Sequence, residues 1–183
     1  MTINSKILRD IFSYKIFFAS VLIVVMSNNA SAKNLVYENN WAYLADTVMG
    51  GVSRGGAEFS AGALRHTGQV STKNNGGFIQ VRTRIDPSET VGKSGIKIKV
   101  KGNGDVYYLP VRNASARLPW QYYTASFKTS EKWKDISISF DEFEKSATLM
   151  PRKLKPESIT TIGLVAYGKD HEADVSIANL EFY

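Results

Sequence analysis

Two histidines, His66 and His171, are the obvious candidates for a neutral-pH base in this sequence. Neither stands at a metal-ligand or catalytic-triad spacing. His66 follows Arg65 on an alternating segment, and His171 lies in a polar turn between Asp170 and Glu172. Both are expected as surface or structural residues. The sequence has no cysteine, which excludes thiol catalysis, cysteine-ligated zinc and disulfides. Its serines lack a nucleophile-elbow context. Glu142 and Glu144 are near neighbours in sequence, but nothing sets them across a groove as an acid–base pair. Gly50-Gly51 and Gly76-Gly77 are not phosphate loops, because no lysine follows in P-loop register. The expectation is a chain that is not an enzyme, with no metal and no cofactor.

Other residues have the chemistry of binding. Asp46 and Asn75 are either ligand contacts or fixers of loop shape, a role that suits both residue types. Arg82 points away from Ile79 and Val81, so it could anchor an anionic or sugar ligand on a sheet face, or pair with Asp46. Tyr107, Arg112, Trp120 and Tyr122 complete the possible ligand-binding set. Their aromatic rings would form a stacking platform for sugars, or else pack in the core or at its rim.

The elements that must position these residues are strands. Ile79, Val81 and Ile85 alternate with Gln80, Arg82 and Arg84, and Ile96, Ile98 and Val100 with Lys97, Lys99 and Lys101. Ile136, Ile138 and Phe140 alternate with Ser137 and Ser139, and Val175, Ile177, Leu180 and Phe182 continue the pattern more loosely. Turn-formers separate these runs: Gly50-Gly51, Gly55-Gly56, Asn74 to Gly77, Gly102 to Asp105, and Gly168 to Asp170. Short strands with one apolar face, spaced by turns, predict an all-β antiparallel sandwich or barrel. A short turn of helix is expected within 141–149, and loops at 118–120 and 150–156. The lysines at 97, 99 and 101 are a docking face for an acidic partner, a solvated sheet face, or the guard of an edge strand.

The first thirty or so residues have another character. Lys6, Arg9 and Lys15 precede an apolar run from Ile16 to Met26, followed by Ser27-Asn28-Asn29 and Ala30-Ser31-Ala32. That order is the order of a secretory signal peptide, and the run is shorter than the roughly 20 residues of a spanning helix. Residues 1–32 are therefore expected to be cleaved, leaving 33–183 as one exported domain, periplasmic or secreted, with no membrane span. The net charge of the sequence is +6; discounting the three basic and one acidic side chains before residue 33 leaves 20 basic against 16 acidic, or +4. Without a clustered basic stripe interleaved with aromatics, nucleic acid is not an expected partner.

Two segments carry more specific information: Trp41 followed by Asp46-Thr47-Val48-Met49-Gly50-Gly51-Val52-Ser53, and Gly68-Gln69-Val70-Ser71 followed by Asn74-Asn75-Gly76-Gly77-Phe78 and Arg82. Together they resemble the complex I intermediate-associated protein 30 family, with its W…D-x-V-M-G-G-V-S and F-x-G-x-(V/L)-S…N-N-G-G-F…R pattern. Lys101 to Gly104, Tyr107 to Leu109, Tyr122 to Phe127, Ile138 to Phe143 and Ile162-Gly163-Leu164 agree more loosely with later segments. Asn103 departs from the family's usual Asp and Ser139 from its usual Pro, and residues 171–174 lack the common G-P-F. The resemblance implies a galactose-binding-domain-like jelly-roll β-sandwich. It implies a structural role for Trp41, Asp46, Met49, Gly50, Gly51, Ser53, Asn75, Gly76, Gly77 and Phe78. Members include a mitochondrial chaperone for respiratory complex I, a task on the opposite side of the membrane from an exported protein. The resulting expectation is an exported, non-catalytic binding or assembly-factor-type module for an unknown protein partner or glycan, the alternative being a carbohydrate-binding module. An exposed aromatic or polar groove would indicate saccharide binding, a large apolar patch a protein partner, and convergent titratable groups in a pocket an enzyme.

Overall fold

The computed structural model describes residues 33–38 and 40–183. Residues 1–32, where a signal peptide is expected, lie outside the described residues. A four-residue helix, α1 (Leu35–Glu38), leads into eleven strands: β1 (Ala42–Ala45), β2 (Arg54–Ser60), β3 (Ala63–Val70), β4 (Phe78–Arg84), β5 (Gly95–Gly102), β6 (Val106–Asn113), β7 (Tyr123–Lys128), β8 (Lys134–Ser139), β9 (Glu144–Lys145), β10 (Ile159–Tyr167) and β11 (His171–Phe182). They form two sheets, β1-β4-β10-β6-β7-β9 and β2-β3-β11-β5-β8. All pairings are antiparallel.

The period-two pattern decides which face each strand buries. On β4, Ile79, Val81 and Thr83 are buried while Arg82 and Arg84 are exposed. On β5, Ile96, Ile98 and Val100 are buried and the three lysines face out. One continuous apolar core results, joining residues such as Val81, Leu109, Leu164, Ile98 and Ile177 from both sheets. Each such side chain contributes roughly 1.5–3 kcal/mol by leaving water. The looser alternation in β11 has a cause. A bulge shifts its register against β5 between Ile177 and Asn179, moving the next inward residue from 179 to Leu180. Asn34 satisfies the backbone there: its Nδ2 donates to Ala178 O at 3.0 Å, and its Oδ1 accepts from Leu180 N at 3.2 Å.

Several expectations are corrected. β5 lies between β11 and β8, so its lysines guard no edge. They form a solvated face, where Lys97 lies 4.0 Å from Glu181 and Lys101 sits 5.1 Å from the centre of the Trp133 ring. The short helical turn expected within 141–149 is a 3-10 turn at Phe140–Glu142, with Ser139 and Glu142 forming a capping box, and it gives way to β9 sooner than expected. Tyr107, expected as a possible ligand contact, is fully buried between the sheets. Its hydroxyl donates to Asn103 Oδ1 at 2.9 Å and accepts from Asp174 N at 2.8 Å. Burial pushes this phenol up to about 12. The Asn103 that departs from the family pattern thus fixes its own turn. His171 opens β11 rather than lying in a turn, and its Nδ1 lies 2.8 Å from Lys169 O. His66 is fully buried on β3, with Nδ1 2.9 Å from Gly56 O and its ring edge-on to Tyr43 at 6.0 Å. Burial lowers its pKa, keeping the imidazole neutral and structural.

Candidate functional site: a stapled loop pair at the end of an aromatic groove

Asp46 begins a 3-10 turn, Asp46–Met49, directly after β1, and it is fully buried. Its carboxylate accepts from Ser53 N at 3.0 Å, Gly77 N at 2.6 Å and Phe78 N at 3.2 Å, and from the Ser53 hydroxyl. Ser53 Oγ in turn accepts from Ser71 N at 2.9 Å. Burial raises the carboxyl pKa, but the donors from Gly77, Ser53 and Phe78 outweigh it and hold Asp46 below the usual carboxylate range. A single buried anion therefore staples the loop before β2 to the loop before β4.

The glycines follow from that staple. A Cβ on Gly51 would lie 2.4 Å from Asp46 Cγ, and one on Gly76 2.4 Å from Asp46 Oδ2. Neither residue needs a positive φ; each is glycine because the carboxylate occupies the space. Gly50 and Gly77 instead sit at φ +89° and +128°, where a side chain is strained. Asn74 and Asn75 adopt the left-handed region at φ 56° and 57°, which asparagine tolerates better than most residues. Asn74 Nδ2 also donates to Gly50 O at 3.3 Å, tying the loops a second time. Asn75 holds the turn and does not line the groove described below. Trp41 packs against the core, and its Nε1 donates to Leu35 O at 3.2 Å.

The staple fixes what the two loops display. Val48 and Met49 project into solvent, 66% and 67% exposed, at a groove of about 400 Å³ on the outward face of the six-stranded sheet. Phe78, next to the stapled Gly77, lines the same groove. The groove floor combines Gly163 and Pro110, with Tyr108, Tyr122, Tyr167 and Trp120 supplying aromatic surface. Tyr108 and Tyr167 meet edge-to-face at 6.1 Å. Burial, and then neighbouring Tyr167, raise the Tyr122 pKa, so its hydroxyl stays protonated at neutral pH. Gln80, Thr124 and Thr161 add amide and hydroxyl groups.

The candidate ligand residues Arg82, Arg112, Trp120 and Tyr122 all line this groove, whereas Tyr107 faces the core. Arg82 does not pair with Asp46, whose carboxylate accepts from Ser53, Gly77 and Phe78. Arg112 Nη2 donates to Ala116 O at 2.8 Å and Leu118 O at 3.1 Å, holding the loop that carries Trp120. Tyr108, Tyr167 and Gly163 also line the groove and are not among the candidate ligand residues. Period-two alternation does place Tyr108 on the outward face of β6, but only pairing through β10 sets it and Gln80 on either side of Val165. Among the described residues no group of three His, Asp or Glu could hold a metal ion, and no helix is long and apolar enough to cross a membrane.

Two stacked antiparallel sheets with an open aromatic groove on one outer face define the class as a galactose-binding-like jelly-roll sandwich. The chain belongs to the complex I intermediate-associated protein 30 family, whose model matches residues 30–177. Comparison with curated protein sequences yields no match. Among solved structures, the fold is similar to a family 11 carbohydrate-binding module from Clostridium thermocellum, in complex with a β-1,3-1,4-mixed-linked tetrasaccharide. The TM-score is 0.66 at 15% identity, covering 80% of this chain and 91% of that one. The family 11 module of the cellulosomal cellulase Lic26A-Cel5E of the same organism matches with TM-score 0.67 at 14% identity, covering 82% and 93%. An exo-β-agarase matches with TM-score 0.54 at 16% identity, covering 83% of this chain and 24% of the agarase.

Proposed function

We propose that this protein is an exported, non-catalytic binding module that holds an extended saccharide chain along the outward face of its six-stranded sheet. The observation that carries this reading is the groove itself. It sets aromatic rings beside Gln80, Thr124, Thr161 and two arginines over a floor lowered by Gly163. Rings offer flat apolar surface to the C–H faces of sugars while amides, hydroxyls and guanidinium groups meet their hydroxyls. Among the described residues no aspartate, glutamate, histidine or lysine lines it, which favours binding over acid–base chemistry.

Trp120 is 62% exposed, so removing its ring leaves the core intact. Trp120→Ala is expected to weaken retention in polysaccharide-containing native gels about tenfold, roughly 1.4 kcal/mol, with an unchanged melting temperature. A wild type retarded by no neutral or acidic polysaccharide would end the saccharide reading. The alternative is an assembly-type module. The observation favouring it is the exposed Val48–Met49 knuckle, which the Asp46 staple holds rigidly for a protein partner.

Export rests on the charged start, short apolar run and Ala30-Ser31-Ala32. The mature protein is expected to begin at Lys33, and N-terminal sequencing of the protein recovered outside the cytoplasm checks it. An uncleaved chain held in the membrane would refute cleavage.

A further inference from the structure

The charge in the groove is one-sided. Among the described residues, those that line it include Arg82 and Arg112 but no carboxylate. The depression on the other sheet is different: there Arg65 and Lys101 face Glu58, Glu131 and Asp174, and Arg65 is paired with Asp174 at 2.9 Å. Arg82 is the sharper case. It is exposed at mid-strand, and its cross-strand neighbours are Ala42 on β1 and Gly163 on β10, neither of which can accept a hydrogen bond from it through a side chain. Among the described residues its guanidinium makes no hydrogen bond and no ion pair, leaving five side-chain N–H donors unused. Arg112 spends one nitrogen on the carbonyls of Ala116 and Leu118, which fixes its position without neutralising it.

We infer that the saccharide held in this groove carries carboxylate groups, as a uronic-acid-containing chain does, with Arg82 as the principal carboxylate contact and Arg112 as a fixed second cation. This rests on the reading of the groove as a saccharide site. A guanidinium is a planar fork that matches a carboxylate with two parallel N–H···O bonds, at roughly twice the strength of neutral hydrogen bonds. A neutral glycan needs no unpaired cation, because amides and hydroxyls recognise its hydroxyls as well. The aromatic walls then orient the sugar ring, and the arginines select its acidic substituent.

The test is affinity electrophoresis and calorimetry of the exported domain with polygalacturonate, alginate, a mixed-linkage β-glucan and a sulfated galactan, at low and high salt. A polyuronate is expected to bind, more weakly as salt rises. Arg82→Gln should weaken that binding about tenfold or more, at unchanged melting temperature. Lys99→Gln, which removes an equal charge from the outward face of the other sheet, should leave it unchanged. Equal binding of the β-glucan, untouched by Arg82→Gln, overturns the carboxylate assignment while the saccharide site stands. Preference for the sulfated galactan over both polyuronates also overturns it. Retention of no polysaccharide removes the saccharide reading and this inference with it.

Discussion

Asp46→Ala is expected to destabilise the domain by at least about 3 kcal/mol, with a corresponding fall in denaturant midpoint. The carboxylate is fully buried and accepts from Ser53 N, the Ser53 hydroxyl, Gly77 N and Phe78 N. Each buried donor left without a partner costs about 1–3 kcal/mol, and two loops separate when the anion goes. Gly76→Ala should be costly as well, but for a reason that can be isolated. Its φ of −80° lies outside the left-handed region, and the main obstacle is Asp46 Oδ2 at 2.4 Å from the new Cβ, with Lys73 O next at 3.1 Å. In an Asp46→Ala background that obstacle is gone, so Gly76→Ala should add little and the double mutant should be strongly non-additive. Gly77→Ala behaves differently. Its cost lies in a φ of +128°, with no atom closer than 3.5 Å to the new Cβ, and so persists when Asp46 is removed. Additive effects for Asp46 and Gly76 would show that the carboxylate does not dictate the glycine.

The same staple has a pH signature. Because hydrogen bonding holds the folded Asp46 below its ordinary value, its contribution is present above the unfolded carboxylate pKa, near 3.9. It is lost as the pH falls through the folded one, where the unfolded chain binds the proton first. The buried His66 acts in the same direction from a higher pH. Its lowered folded pKa means that stability declines as the pH drops below about 6.5, where the unfolded imidazole takes up a proton that the native one refuses.

Much of this architecture was legible because its determinants are local. Alternation on β4, β5 and β8 named the buried faces, and the turn-formers between them marked the strand ends. The D-x-V-M-G-G-V-S and N-N-G-G-F segments marked two demanding loops. That Asp46 demands Gly76 is a contact across thirty residues, which neither segment contains alone. The groove was half legible. Arg82, Arg112, Trp120 and Tyr122 could be named from residue type, but Tyr107 was indistinguishable by type from Tyr108. Strand phase separates them: Tyr107 shares a face with Leu109 and Val111, which turn to the core, and its ring lies against Phe127 of β7. The Asn34 clamp on the β11 bulge lay beyond reach: the break in alternation between Ile177 and Leu180 marks the bulge, but nothing in the sequence points to a partner 144 residues away.

Gly163→Val is expected to abolish saccharide binding in a domain that still folds. Gly163 lies opposite Arg82 in the β4–β10 register, on the outward face and at the groove floor. A Cβ there would meet Gln80 Nε2 at 2.5 Å, Val81 O at 3.0 Å and Pro110 Cγ at 3.1 Å. The end of Gln80 can swing aside, whereas a backbone carbonyl and a proline ring yield only by small shifts. Overpacking of this kind costs about 1–3 kcal/mol. Valine's preference for strands over glycine returns part of it, about 0.5–1 kcal/mol, so the fall in melting temperature should be modest. The larger effect is on the ligand. A branched side chain raises the floor between Arg82 and Pro110, and swinging Gln80 aside withdraws an amide, so a polysaccharide that retards the wild type in native gels should no longer retard the variant. Gly163→Ala, with one methyl in place of three carbons, should fall between the two. If the valine variant keeps its melting transition and binds as the wild type does, the ligand does not lie across β10, and the groove floor is packing rather than a site.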